Sequence, residues 1–332
     1  MTYTSGGLIQ ATDYNGFASS TAGANVNDIW ATGATDKGYG QTALTTASTG
    51  GLVTATQWAG LVNNISSMAS HTGTTITSRT APTAGNTINI LAALNTDLTN
   101  ITTNRGNAVA SGTEITTFSG TTSKTTGTGS GTSASTITFT HTITFASADA
   151  ARYFFNAGGI VRLRVSKTST GTLADPEWND LAGTLMNEIR MVGRVNSANQ
   201  VIASTTYTGI NKTLGSGTPT IQATTTGWYN LTTSDTNLYQ QFADTAPYTG
   251  QNILVKGKTA GTGTQLVLTT VWTDPGGGSA GSTDAITGGT ATGSPFTSFG
   301  TAPATVVTLI PPSSTYLTAA AWGTPTIAAS VA

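Results

Sequence analysis

Few residues in this chain have side chains suited to chemistry. It has two histidines, His71 and His141, and no cysteine, so no disulfide, thiolate nucleophile or cysteine–metal site can form. His141 lies in an alternating run, on the same side as Phe139 and Ile143, which predicts a partly buried structural ring. His71 follows a predicted helix end, where a cation suits the dipole. Neither has the neighbours that a Ser-His-Asp triad or a histidine metal site needs. The tightest group of acids is Asp175, Glu177 and Asp180. Paired carboxylates roughly 5–9.5 Å apart cleave glycosides, but acids in a first helical turn are also what the helix dipole favours. Asp274 and Asp284 flank a Gly-rich loop whose oxygens suit calcium, yet no EF-hand spacing is present and a solvated loop is expected. Lys256-Gly257-Lys258-Thr259 ends like a phosphate loop, but Asn252 stands where that motif needs its first glycine. The expectation is a chain that is not an enzyme, with no cofactor and no metal.

Composition narrows the class further. Only 8% of the residues are charged, against about 25% in ordinary globular chains. The 13 basic and 14 acidic residues nearly cancel, so there is no electrostatic footprint for nucleic acid or a membrane surface. A chain with 37% hydrophobic residues and almost no net charge should fold, and its abundant threonine suits the solvent faces of strands. A monomer with so little charge would be poorly soluble, which favours an assembly component covered by neighbours. No signal peptide is visible and no apolar run reaches the roughly 18 residues needed to span a membrane. Synthesis in a cytoplasm without membrane insertion is expected.

The elements that must position these residues fall into four stretches. Residues 1–78 form a helical docking domain in which Thr54 and Gln57 make a capping box. Trp58, Leu61, Val62, Ile65 and Met68 then form one helical stripe, and a shorter helix is expected over Asp13 to Ser19. Residues 79–118 form an association helix and connector: Leu91, Leu94, Leu98 and Ile101 follow the spacing of a coiled-coil seam, which stops at Arg105. Such a helix either joins copies of the chain, as in a trimer, or packs on its own chain. With Trp58, these four leucine and isoleucine positions are the candidate assembly contacts. Residues 119–135 are a Gly/Ser/Thr linker. Residues 136–332 form a β-rich domain, with alternation from Ile137 to Phe145, a helix capped by Ser147 and a strand from Ile160 to Val165. A helix opened by Asp175-Pro176 should carry Trp178, Leu181, Leu185 and Ile189 on one stripe. Further strands are expected at Val201–Thr205, Thr220–Ala223, Trp228–Leu231, Ile253–Lys256, Gln265–Trp272 and Thr305–Ile310. The predicted fold class is α+β: a small helical N-terminal region followed by a β-rich, sandwich-like domain with helical insertions.

Two sets of segments carry a family likeness. One comprises Asn27-Asp28-Ile29-Trp30, Gly38-Tyr39-Gly40-Gln41, Val53 through Trp58, and His71-Thr72-Gly73. The other comprises Ile137-Thr138-Phe139-Thr140 and Ala150 through Gly159. Together they resemble structural proteins of tailed-bacteriophage virions, notably of marine and cyanobacterial myoviruses, over roughly residues 10–75 and 136–166. The resemblance implies a virion component of the tail, baseplate or fibre, partnered by copies of itself and other virion proteins. It implies no catalytic residues. Rival readings are a receptor-binding adhesin at a fibre tip, a head, neck or collar decoration protein, and a tail-borne glycan hydrolase. The adhesin would use the loop from Gly276 to Gly300 and aromatics such as Trp228, Tyr229, Tyr239, Phe242, Tyr248, Trp272 and Trp322 against a host surface glycan.

Overall fold

The computed structural model describes residues 10–19, 24–85, 93–116, 122–123, 135–169, 175–246, 248–274 and 302–332. Four helices come first: α1 (Ala11–Ala18), α2 (Val26–Trp30), α3 (Ala55–Thr72) and α4 (Leu94–Asn104). The α3 capping box forms as the sequence requires. The Gln57 N–H donates to Thr54 Oγ1 at 3.2 Å, and the Thr54 N–H donates to Gln57 Oε1 at 2.9 Å. Gly73, at φ +68°, closes the helix. Its stripe of Trp58, Leu61, Val62, Ile65 and Met68 is at most 3% exposed. Helix α4 buries Leu94, Leu98 and Ile101 in the same core.

The remaining elements are β1 (Thr122–Ser123), β2 (Ser135–Thr144), α5 (Ala148–Asn156), β3 (Ile160–Ser166) and α6 (Asp175–Asn179), which runs into a π-helical turn, Asp180–Met186. There follow β4 (Glu188–Met191), β5 (Gln200–Ile202), β6 (Thr205–Tyr207), β7 (Ile210–Leu214), β8 (Ile221–Gln222) and β9 (Thr236–Phe242). The chain continues through β10 (Asn252–Ala260), β11 (Gln265–Asp274), β12 (Ala304–Ile310) and β13 (Thr326–Val331). One sheet has the order β1-β12-β3-β4-β7, a second β13-β2-β11-β10-β9-β8, and β5-β6 is a separate hairpin. The ladders are antiparallel. On β2, Ile137, Phe139, His141 and Ile143 lie opposite Trp272, Thr270, Leu268 and Leu266 of β11, and all eight are buried. Val161, Leu163 and Val165 of β3, with Val307 and Leu309 of β12, face the same core. The two sheets thus share one apolar layer, as the alternation of both requires. Trp272 Nε1 on one sheet donates to Thr305 Oγ1 on the other at 3.4 Å. The fold is α+β, with a helical N-terminal region and a sandwich-like β region.

Several elements depart from the sequence reading. The stripe expected to continue to Ile189 ends at Met186. Asn187 turns to φ +54°, its N–H bonds Ala182 O, and Ile189 lies in β4. Trp228–Leu231 is a 3-10 turn rather than a strand, held where the Gly227 N–H donates to Asn230 Oδ1 at 3.0 Å. The strand expected over Val201–Thr205 is instead a hairpin: Ala203 and Ser204 turn at φ +48° and +66° between β5 and β6. Strands β4, β7, β9 and β13 go beyond the expected set; in β9, Asn237, Gln240 and Gln241 give a weak β signal. Within the expected linker, Thr122 and Ser123 pair with β12; residues 117–121 and 124–134 lie outside the described residues. The core is continuous across positions 79 and 136, joining both helices and sheets in one cluster.

The placement of α4 yields a first prediction. Leu98→Ala should cost about 2–5 kcal/mol in urea unfolding, as for a buried leucine. A variant with unchanged stability but altered oligomeric state would instead assign the stripe to an interface.

Candidate functional site

The segments singled out by sequence converge on the connection from α2 to Gln41. Its backbone runs inward with Gly38 at φ +94° and Gly40 at φ +68°, conformations that glycine adopts without strain. Its carbonyls, both inside and at the surface, are met by distant donors. Asn156 Nδ2, at the end of α5, donates to Gly38 O at 2.9 Å. Arg152 donates to the carbonyls of Thr35 at 2.8 Å, Lys37 at 3.1 Å and Thr32 at 3.2 Å. The Tyr39 hydroxyl donates to Arg105 O at 2.6 Å, beyond α4. Gln41 Oε1 accepts the Thr318 N–H at 2.7 Å while its Nε2 donates to Thr318 O at 3.2 Å. Arg105, where the seam pattern stops, is buried and pairs with Asp36 at 2.7 Å.

Close packing completes this junction. A Cβ on Gly40 would come 2.4 Å from the Tyr153 ring, and one on Gly159 would come 2.4 Å from the Phe154 ring. Phe145, Phe154 and Phe155 form an aromatic group, and Phe155 stacks on Trp228 at 5.0 Å. His71 lies edge-on to Tyr39 at 5.5 Å, and its Nε2 donates to Ala157 O at 3.1 Å.

His71 is therefore not a surface cation on a helix end. Burial lowers its pKa to about 4, against a smaller opposing effect of the Ala157 carbonyl. His141 is fully buried in the β sandwich, and burial likewise lowers it to about 4, opposed by the Thr305 backbone. Both rings are neutral at pH 7, which suits packing and gives neither an acid role there.

A second polar group lies on the other face of β3. Glu188, fully buried on β4, accepts from Arg164 Nε at 2.6 Å, Arg190 Nε at 2.7 Å and Thr213 Oγ1 at 2.7 Å. Burial alone would raise its pKa, but the Thr213, Arg190 and Arg164 donors outweigh it and hold the carboxyl below its usual range. Arg162 pairs with Glu114 and also faces Glu188. The alternation of β3 puts Arg162 and Arg164 on one face, and no sequence signal marks the buried acid between them.

The acids nominated by sequence are brought together with one that was not. Glu177, Asp180 and Asp244 each offer an oxygen within 4.8 Å of the others. Burial, ahead of an opposing hydrogen bond from Thr245, raises the pKa of Glu177, and Asp180 and Asp244 add to the rise. This is the one grouping of three such donors among the described residues.

The candidate assembly contacts have a different fate. Trp58, Leu94, Leu98 and Ile101 are wholly enclosed by the chain's own core, so none is offered to a partner. Leu91 lies outside the described residues. Of the aromatics considered for glycan contact, Trp228, Tyr239, Trp272 and Trp322 are buried, while Tyr229, Phe242 and Tyr248 are half-buried. The loop from Gly276 to Gly300, with Asp284, is outside the described residues.

Two predictions test the junction and its histidines. Gly50 shares a positive φ of +75° with Gly40 but has nothing near its Cβ position. Gly50→Ala should therefore cost about 1 kcal/mol from strain alone, and Gly40→Ala about 1–3 kcal/mol more from the collision with Tyr153; equal costs by urea unfolding would deny the close packing. The histidines bind protons more weakly folded than unfolded, so the unfolded chain holds more protons between pH 6.5 and about 4. Their contribution is complete above that interval and is lost as the pH falls through it, by roughly 3 kcal/mol per fully titrated ring. His141→Leu should flatten this acid slope in unfolding measured from pH 7.5 to pH 4.5; an unchanged slope would show that His141 is not buried as a neutral ring.

Compared with known proteins, the chain matches no family model, and no curated protein or solved structure matches it.

Proposed function

We propose that the chain is a structural component of a tailed-phage virion, in the tail, baseplate or fibre apparatus, acting by docking to other virion proteins and to copies of itself. The observation that carries this reading is the mutual packing of the segments that share the family likeness. Gly38-Tyr39-Gly40-Gln41, His71 and the Arg152–Gly159 stretch lie far apart in sequence yet bond to one another. A likeness arising from composition alone has no reason to select residues that meet. The composition agrees: a chain of 8% charged residues gains from having its surface covered.

Docking falls to surfaces other than the α4 stripe. Leu52, before α3, is 92% exposed. Val109 and Val201 are also exposed, on segments joined where the Ala108 N–H donates to Val201 O at 2.9 Å. An adhesin reading is weaker, because the largest aromatics it would use are spent on the core. No catalytic role is proposed.

A cryo-EM map of the intact particle, with this chain traced into it, tests the reading. Density in the tail or baseplate with Leu52 against a neighbouring protein is expected. Density on the capsid or neck would overturn the tail placement, and absence from the particle would overturn the virion assignment.

A further inference from the structure

The distribution of charge points to a site beyond any assembly role. Seven of the chain's fourteen acids pair with Lys or Arg among the described residues. Asp28 pairs with Lys37, Asp36 with Arg105, Asp97 with Arg79, Asp149 with Arg152, Glu114 with Arg162, Glu188 with Arg164 and Arg190, and Asp235 with Lys258. Glu177, Asp180 and Asp244 are outside those pairs and lie together. Each offers an oxygen within 4.8 Å of the others, and none makes an ion pair with Lys or Arg among the described residues.

A second observation concerns Glu177 itself. The residue is 6% exposed, the most enclosed of the three, and its Oε1 is buried with no hydrogen-bond donor among the described residues. The carboxyl is otherwise linked to Thr245, beside Asp244. A buried carboxylate oxygen with neither donor nor counter-charge is costly. Around it the fold has brought two more carboxylates rather than a base.

We propose that Glu177, Asp180 and Asp244 bind a calcium ion. The donors are all carboxylate oxygens, which suits a hard cation and disfavours zinc. Oxygens on one calcium, at about 2.4 Å from it, lie at most about 4.8 Å apart, whereas magnesium at about 2.1 Å draws them to within about 4.2 Å. The three oxygens lie within the calcium limit, and calcium's looser geometry and readier loss of water favour it over magnesium at a site open on one side. Asp180 is half-buried and Asp244 exposed, so the outer side of the site is open for water to complete the coordination. Two of the ligands sit where α6 widens into its π-helical turn, and the third follows β9. The turn leads into β4 of one sheet, while β9 belongs to the other, so the ion ties the two sheets together at this end.

The test uses the full chain freed of metal with EDTA, titrated with calcium chloride by calorimetry and by thermal unfolding. Saturable one-to-one binding is expected, with a rise in Tm of roughly 3 °C at ten times the dissociation constant. Magnesium chloride at the same concentration should give a smaller rise. Asp244→Asn, at an exposed position, should leave the metal-free Tm within about 1 °C and weaken calcium binding at least about tenfold. Glu177→Gln should abolish binding and raise the metal-free Tm by removing the crowded charge. Absence of heat and of a Tm shift up to about 10 mM calcium, beyond the range of weak protein sites, would overturn the proposal, as would an undiminished response in both variants.

Discussion

The structure depends on one constraint: the chain beyond α2 enters the interior at Gly38 and Tyr39, and the carbonyls there must be satisfied. A buried carbonyl without a donor costs about 1–3 kcal/mol, and both of these turn inward. Donors to this stretch come from Asn156 and Arg152 on α5, and a carbonyl of the Arg105 turn in exchange accepts the Tyr39 hydroxyl. Gln41 closes the arrangement with a two-way amide pairing to Thr318. The helical region and the sandwich are therefore one body whose parts complete each other's hydrogen bonds. The aromatic group of Phe145, Phe154, Phe155 and Trp228 packs behind the same corner and excludes the water that would compete for these bonds.

Charge is used sparingly and with a purpose at each position. A chain with 27 charged groups has few to place at random. Arg105 and Arg152 hold the inward backbone, and Glu188 gathers arginines across β3 and β4. Replacing such groups by apolar ones of similar shape is often tolerated, but removing one partner leaves a stranded charge. The arginines thus fix which surfaces meet more than they add to net stability.

Local physics made much of this legible. The Thr54–Gln57 box and the stripe behind it fixed α3, and the alternation around His141 fixed both the strand and the face it buries. The two families of Gly- and aromatic-rich segments were recognisable singly, but nothing in their spacing says that Gly38 meets Asn156. Leu94, Leu98 and Ile101 show the limit clearly: the same seam spacing serves a partner helix or the chain's own core, and only the presence of α3 and its neighbours decides between them. Asp244 could not be joined to Glu177 and Asp180 because a turn after a weakly marked strand carries it there. Polar strands such as β9 are held by their neighbours' pairing rather than by any preference of their own residues.

The pairing of Gln41 with Thr318 has a consequence for how the chain is made. The two residues are 277 positions apart, and a ribosome adds roughly 5–20 residues per second. The inward segment is therefore synthesised roughly 15 to 55 s before its last partner exists. During that interval α5 is made and can already supply Asn156 and Arg152 to the segment, while the Gln41 amide still lacks its partner. The two-way pairing forms only once Thr318 has been added, so this corner of the fold is completed in two stages.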